Sequence, residues 1–190
     1  NASPAGDMLP PLLALDASVT LSSARGVRSL PLSEVLRGPR QTCLEPGEII
    51  ASIAFRRPPE PSGAAFIKLS NRRGMSIAVV SVAATLALDS AGRIAEGRIA
   101  LGAVAPTAVR SPAAEDALAG QVPSVETFRR AARAALDDIA PISDVRATAA
   151  HLFDIPYHSV TRSVAFEMVR APHWDTHTWS CRLNPIPRSW

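Results

Sequence analysis

Alternation of apolar and polar side chains predicts a β-hairpin near the beginning of the chain. Ala17–Leu21 alternates between the two classes and reads as a strand, Arg25–Gly26 as a turn, and Val27–Leu32 as a returning strand. Ser33–Leu36 follows as one short helical turn. Gly38–Pro39 is expected to end it, because proline cannot continue a helix and glycine tolerates positive φ.

A second strand and a proline-rich connection follow a loop over residues 40–47. Glu48–Phe55 is β-branched and apolar enough to predict a buried strand. Arg56–Gly63 contains three prolines, which remove backbone donors and favour an extended connection. We therefore predict a boundary here, with one domain over residues 1–62 and another over residues 63–152.

The second segment predicts an antiparallel sheet. Ala64–Leu69 reads as a strand, and the apolar stretches Ile77–Leu88 and Arg98–Val104 flank the turn-forming residues Asp89–Arg93. The return strand is expected to begin at Ile94. These features predict a three-stranded sheet in this segment.

Helices are predicted after the sheet. Ser111 has the character of an N-cap, with a proline at the next position, and this helix is expected to end at Gly120. A second helix begins at Ser124, and Pro141 stops it. Its predicted apolar face consists of Val125, Phe128, Ala132, Ala135, Leu136 and Ile139. A final helix is predicted over Asp144–Leu152, and sheet plus helices give an α+β fold.

Composition and charge restrict the classes of function. The net charge is +3, and the basic residues are dispersed rather than interleaved with aromatics, which argues against nucleic-acid binding. No apolar run approaches the roughly 18 residues of a membrane span. Cys43 and Cys181 lie far apart without CxxC spacing, which indicates a reducing compartment and predicts a cytoplasmic protein.

The last forty residues differ from the rest. All four histidines, all three tryptophans and the single tyrosine lie in residues 151–190. We interpret residues 153–190 as an atypical tail, either a C-terminal extension or the product of a shifted reading frame. His173, His177 and Cys181 recur every four residues, the spacing of a zinc site on a helix, but the sequence around them is a poor helix former. We predict no metal ligands and no catalytic residues.

A series of short motifs occurs in a specific order along residues 1–150. The motifs are Asn1–Asp7, Gly38–Arg40, Pro46–Ile50, Phe66–Arg73, Ile77–Ala84, Arg98–Thr107, Ala114–Glu115, Pro141–Asp144 and Arg146–Ala150. In this order they resemble the FAD-binding (medium) subunit of molybdenum hydroxylases, the xanthine dehydrogenase and carbon monoxide dehydrogenase family. The sequence begins within the first of them, so we expect a C-terminal fragment of such a subunit.

The resemblance implies both fold and site. It implies part of the second lobe of a vanillyl-alcohol-oxidase-like FAD-binding domain, followed by a carbon monoxide dehydrogenase flavoprotein C-terminal-like domain. By this resemblance Asn1, Ser3 and Asp7 match FAD-contacting positions, Ile50 an apolar position on the ring system, and Lys68 a lysine near the isoalloxazine. From the residues alone, a Pro-Gly surface turn, a core isoleucine and a solvated lysine at a strand end are the alternatives.

Two further arginines and the single lysine bear on this site. Lys68 is the one lysine among twenty basic residues, and a positive charge beside the flavin pyrimidine would stabilise the reduced anion. Arg72 and Arg73 could bind a phosphate or a partner carboxylate, but adjacent loop arginines are more often solvated, and we leave them outside the site.

The resemblance also implies function and partners. It implies an oxidoreductase subunit that passes electrons from iron–sulfur clusters through FAD to NAD or another acceptor. The partners would be a molybdopterin-binding large subunit and a 2Fe-2S small subunit in a hetero-oligomer, with no nucleic acid and no membrane. The alternative is a subunit-interaction module, or a degenerate fragment, without FAD binding. The hydroxylated substrate cannot be read from such a subunit.

Overall fold

A computed structural model describes residues 2–70, 77–142 and 180–185. In chain order the helices are α1 (Leu9–Ala14), α2 (Leu32–Val35), α3 (Pro112–Leu118) and α4 (Val125–Ala134), which continues as a 3-10 turn over Ala135–Asp138. The strands are β1 (Ser18–Ser23), β2 (Gly26–Pro31), β3 (Leu36–Gly38), β4 (Gln41–Thr42), β5 (Ile49–Ala54), β6 (Ser62–Ser70), β7 (Ala78–Leu88), β8 (Ile94–Gly102), β9 (Val109–Arg110) and β10 (Ser180–Pro185). The predicted α+β fold is confirmed.

The first sheet contains the predicted hairpin. Its strand order is β2-β1-β5, with β1 antiparallel to both neighbours. Val19 and Leu21 on the central strand are fully buried. The prediction of a buried strand over Glu48–Phe55 is wrong, however, because every residue of β5 is exposed. The strand forms an edge of the sheet, and no described element covers it.

The second sheet has strand order β10-β6-β7-β8-β9, two strands more than predicted. Strands β6 to β9 are antiparallel, and β10 joins β6 in parallel. The added strands β9 and β10 cover two and six residues, respectively. A strand of two residues, such as β9, is too short to show the alternation of apolar and polar side chains by which strands are predicted.

Large aliphatic side chains cover one face of this sheet and pack against α3 and α4. Phe128 of α4 and Leu118 of α3 are fully buried there, with Val80, Leu86, Ile99 and Leu101 from the strands. The predicted helix starts are confirmed, because Ser111 Oγ accepts the N–H of Ala114 and Ser124 Oγ accepts that of Thr127.

The predicted apolar face of α4 is correct except at its beginning. Phe128, Ala132 and Ala135 are buried, whereas Val125 is 41% exposed. Val125 is the first residue of α4, at the end of the helix that is open to solvent. Thr127 and Ala131, one turn apart, are buried as well, although neither belongs to the predicted face.

Small side chains cover the opposite face of the second sheet and allow α1 to approach it. Ala83 and Ala100 lie opposite each other on β7 and β8 and are packed with Leu9 and Leu13 of α1. The same buried cluster includes Val19 and Leu21 of the first sheet. The segments on either side of the proline-rich connection therefore share one hydrophobic core. Helix α1 is not among the predicted elements, because Pro10 and Pro11 are residues that usually interrupt a helix. Both lie in the first turn of α1, where proline is tolerated.

Several predictions fall outside the described residues. These are the site residue Asn1, the arginines Arg72 and Arg73, the helix over Asp144–Leu152, and the zinc hypothesis at His173 and His177. The side chain of Cys181, the third member of that hypothesis, is also not described.

Candidate functional site

The loop over residues 2–7 is folded by its own hydrogen bonds into a compact turn. Ser3 provides two acceptors: its backbone oxygen accepts the N–H of Gly6 at 3.1 Å, and its Oγ accepts the N–H of Ala5 at 3.3 Å. The oxygen of Gly6 then accepts the N–H of Leu9 at 3.2 Å, which leads directly into α1. Asp7, at the end of the turn, and Ser3 both remain exposed to solvent.

Two distant segments fix this loop through its backbone. Arg40 donates its N–H to Ala2 at 2.7 Å, and Ala103 donates its N–H to Pro4 at 2.8 Å. Arg40 and Ala103 both adopt left-handed φ angles, of 61° and 67°, which non-glycine residues rarely do. Such conformations persist where the surrounding structure fixes them, and they cluster at functional sites. The loop is therefore held from both sides.

A buried lysine contacts the end of this loop. Lys68 on β6 donates from Nζ to Oδ2 of Asp7 at 2.6 Å, a short charge-assisted hydrogen bond. The Lys68 side chain is only 9% exposed, whereas that of Asp7 is 48% exposed. The interpretation of Lys68 as a solvated lysine is therefore wrong. The pair thus combines a buried ammonium group with a carboxylate that is accessible to solvent or to a ligand.

The pleat of the second sheet explains why Lys68 is buried. Lys68 lies two residues from Phe66, whose side chain packs on the α1 side, so Lys68 points to the same face. Directly opposite Lys68 on β7 is Ser81, and opposite Ser81 on β8 is Gly102. The loop and α1 lie over this row of residues. The lysine stem is thus enclosed between sheet, loop and helix.

Of the other predicted site residues, Ile50 lies on the edge strand β5 of the first sheet and is 50% exposed. The interpretation of Ile50 as an ordinary core residue is therefore wrong. It pairs with Leu21, and Ile53, 44% exposed, pairs with Val19. These two isoleucines extend the buried core of the first sheet into an uncovered apolar strip. Such a strip offers contact area for a flat apolar ligand or a further protein segment.

An ion pair fixes the segment that leads into β5. Arg28 donates from Nε to Glu48 Oε1 at 2.7 Å and from Nη2 to Oε2 at 2.8 Å. Glu48 also accepts the N–H of Glu45 at 2.7 Å, while Arg28 reaches the oxygen of Cys43 at 3.0 Å. The Arg28 hydrogen bonds, followed by that of Glu45, lower the pKa of Glu48 to about 2. The pKa of Arg28 is raised above its ordinary value by the same contact.

A second ion-pair cluster joins the turn after α1 to the second sheet and to α3. Arg110 on β9 donates to Glu115 at 2.9 and 2.7 Å and to Asp16 at 3.3 Å. The hydrogen bond to Glu115 raises the pKa of Arg110 above its ordinary value. Asp16, which follows α1, has a left-handed φ of 55°. This cluster fastens the C-terminal end of α1 to the second sheet, while Lys68 fastens the loop before α1.

The described residues contain neither a metal-binding cluster nor a membrane-spanning helix. Three or more His, Cys, Asp or Glu side chains nowhere come together there in a way that could bind a metal ion. Among the same residues, no helix is long and apolar enough to cross a membrane. The expected cytoplasmic location stays a prediction.

The sequence alone did not reveal the ion pair between Lys68 and Asp7 or the two left-handed anchors. Asp7 and Lys68 are 61 positions apart, and no local spacing connects them. The one available signal was that Lys68 is the single lysine of the chain. For Arg40 and Ala103 no signal was available, because neither residue type favours positive φ.

Two family profiles match the chain. Residues 1–57 match the FAD binding domain in molybdopterin dehydrogenase, and residues 65–151 match the CO dehydrogenase flavoprotein C-terminal domain.

Similar individual proteins include two bacterial subunits. The alpha subunit of the 6-hydroxypseudooxynicotine dehydrogenase complex of Paenarthrobacter nicotinovorans is 33% identical over 171 residues, or 90% of this chain and 57% of that protein. A putative xanthine dehydrogenase FAD-binding subunit of Escherichia coli strain K12 is 33% identical over 174 residues, covering 90% and 58%. The chain thus spans little more than half of these relatives.

A similar fold occurs in reconstituted CO dehydrogenase from Oligotropha carboxidovorans. The TM-score is 0.80 at 27% sequence identity, over 90% of this chain and 59% of that one.

Proposed function

The chain belongs to the family of FAD-binding subunits of molybdenum hydroxylases, and on that basis we propose that the loop at residues 2–7, Lys68 and Ile50 form part of a surface that holds FAD. The observation that carries this proposal is the buried Lys68 ammonium beside the half-exposed Asp7 carboxylate. The loop that presents Asp7 is fixed on both sides by backbone hydrogen bonds. A fixed loop binds a ligand without the entropy cost of ordering it.

The residues present fit the chemistry of a flavin dinucleotide. Asp7 and Ser3 are exposed acceptors suited to hydroxyl and N–H groups, and Ser3 can also donate. Ile50 and Ile53 provide apolar area that a planar ring system could cover. Lys68 contributes a positive charge in a region of low water content, where its interaction with an anion is stronger than in bulk water.

FAD, when bound, supplies the redox chemistry, and the chain's own residues bind and orient it. In this proposal the exposed carboxylate of Asp7 accepts a hydrogen bond from the cofactor, and the ammonium of Lys68 provides a positive charge close to it. A positive charge close to a reduced anionic flavin stabilises that form and raises its midpoint potential. Asn1 would belong to the same surface by its resemblance to the family motif, and its placement stays a prediction.

The larger assembly is proposed from the family alone. The whole subunit would pass electrons from a 2Fe-2S small subunit and a molybdopterin-binding large subunit through FAD to NAD or another acceptor. The named relatives act in dehydrogenase complexes with different substrates, so the hydroxylated substrate of this protein is not assigned. Since FAD-binding subunits do not contact that substrate, none of the residues above would select it.

Titration of FAD against the chain tests the proposal. We expect saturable quenching of flavin fluorescence with a Kd weaker than about 1 μM, because the chain spans only 58% of a FAD-binding relative. Lys68→Met should weaken binding about tenfold or more and lower the midpoint potential of the bound flavin. Arg57→Met is the matched control, since Arg57 is 72% exposed and pairs with Glu60 on the surface. Equal affinities and potentials for the two variants, or no saturation by wild type, would contradict the proposal.

A second candidate function is favoured by the exposed apolar side chains of the edge strand. Ile49 and Ile53 of β5, and Phe55 just after it, are 66%, 44% and 54% exposed. An uncovered apolar edge of this kind is typical of an interaction surface, so the chain could serve as a subunit-interaction module without FAD. Ile49→Ser together with Ile53→Ser should then abolish co-purification with the other subunits, while Lys68→Met should not affect it.

A further inference from the structure

A buried hydroxyl beside the Lys68–Asp7 pair has no role in the proposal above. Ser81 is 1% exposed, and within the described part of the chain its Oγ has no hydrogen-bond partner. A buried polar group without a partner is rare, because it loses its bonds to water and gains nothing in return. Such a group in a native fold requires a physical explanation.

The register of the second sheet makes Lys68 a cross-strand neighbour of Ser81. Ser81 lies directly opposite Lys68 in the antiparallel pair of β7 and β6. The Cβ atoms of residues in such pairs are about 4.5–5.5 Å apart on the same face. The stem of the Lys68 side chain and the Ser81 hydroxyl therefore leave the same face of the sheet side by side.

The position of Gly102 explains where the hydroxyl points now. Gly102 lies opposite Ser81 on the other side, on β8, and a Cβ atom built at Gly102 would collide with Ser81 Oγ. The hydroxyl thus occupies the space that a side chain at position 102 would take, away from β6. Rotation about χ1 of Ser81 moves the hydroxyl between staggered positions and so away from Gly102.

The two acceptors near Lys68 differ in exposure. Asp7 holds the ammonium at present, but its side chain is 48% exposed and lies at the end of the loop proposed to bind FAD. A carboxylate that turns to a ligand leaves the ammonium, which is 9% exposed, in need of another acceptor. Ser81 is already buried at that point and needs no segment of backbone to move.

We propose that Ser81 is a positioning residue that accepts a hydrogen bond from Lys68 when Asp7 turns to bound flavin. The exchange of acceptors keeps the Lys68 side chain hydrogen-bonded and in place while its original partner is engaged elsewhere. This inference rests on the proposed FAD site for the event that withdraws Asp7. The pairing of Ser81 with Lys68 itself can be tested without any flavin.

The flavin-free test compares Ser81→Ala in two backgrounds by urea unfolding of the whole chain. In wild type the variant should leave the midpoint unchanged or raise it, since it removes a hydroxyl that has no partner. In an Asp7→Ala background the same change should lower the midpoint, because Lys68 then depends on Ser81. The lowering should vanish when Lys68→Met is added. Equal effects of Ser81→Ala in all backgrounds would overturn the proposed pairing.

The flavin test measures the Kd for FAD with and without the hydroxyl. Ser81→Ala should weaken FAD binding about tenfold, the effect expected for one hydrogen bond to a charged group. Thr85→Ser, four residues further along β7 on the same face, is the control that keeps a hydroxyl and should leave the Kd within about twofold. An unchanged Kd for Ser81→Ala would overturn the exchange of acceptors. Wild type that binds no FAD would instead contradict the proposed function, while the flavin-free result stands on its own.

Discussion

Gly102→Ala tests whether α1 packs directly on the second sheet. A methyl group at this position would collide with Ser81 Oγ and would lie 2.7 Å from Cγ of Pro10 in α1. The serine hydroxyl can rotate away, but the proline ring belongs to the first turn of a buried helix and cannot. The substitution should therefore displace α1 from the sheet.

Two opposing effects set the change in the free energy of unfolding caused by Gly102→Ala. Overpacking of a well-packed core costs about 1–3 kcal/mol. Replacement of glycine by alanine returns about 0.4–1 kcal/mol, because it restricts the unfolded chain. The net loss should be about 1–2 kcal/mol, which for a chain of this size lowers Tm by about 2–8 °C. Differential scanning calorimetry or urea unfolding would measure it.

Gly38→Ala provides the matched control. Gly38 is also a buried strand glycine, but its nearest neighbour to a built Cβ is Gln41 Oε1 at 3.4 Å, an ordinary contact. This variant should be within about 0.5 kcal/mol of wild type or more stable. Equal stability of the two variants would refute the close approach of Pro10 to Gly102. Faster amide exchange in α1 of Gly102→Ala alone would locate the damage.

Three other predictions concern acid stability, the Arg110 ion-pair cluster, and the buried face of α4. Glu48 has a pKa of about 2 in the folded chain and an ordinary value near 4.5, so its contribution to the free energy of unfolding is complete above pH 4.5 and is lost as the pH falls toward 2. The difference in urea midpoint between wild type and Glu48→Gln should therefore shrink over that interval. A constant difference would contradict the assignment. Arg110→Leu should cost about 1–2 kcal/mol, discounted for partial exposure, and a double-mutant cycle with Glu115→Leu should show coupling rather than additivity. Phe128→Ala should cost about 3–5 kcal/mol by thermal unfolding, whereas Val125→Ala, on the exposed first residue of the same helix, should change stability by about 0.5 kcal/mol at most.

Elements with a clear local pattern were predictable from the sequence. The hairpin of β1 and β2 and the long strands β7 and β8 have side chains that alternate or run apolar between turn residues. The helix beginning after Ser124 has both a capping residue and apolar positions at helical spacing. In each case the residues that specify the element lie within the element itself.

Features that depend on neighbours distant in the chain were not predictable. The composition of β5 is that of a core strand, and its exposure results from the position of that strand at the edge of its sheet. For the candidate site, the family motif predicted Asp7 and Lys68 separately, but their contact depends on how α1 crosses the second sheet. Ser81 resembles any serine in an apolar strand until its register with Lys68 and Gly102 is known.

The hydrophobic cluster around α1 limits how this chain can be recombined with its relatives. Leu9, Leu13 and Val19 come from before the proline-rich connection, and Ala83 and Ala100 come from after it. A chimera that exchanged only the segment before the connection would pack the α1 side chains of a relative against Ala83 and Ala100, which fit the α1 of this chain. We expect such chimeras to aggregate unless both segments come from the same parent, so the connection, although it is a convenient splice point in the sequence, is not one in the fold.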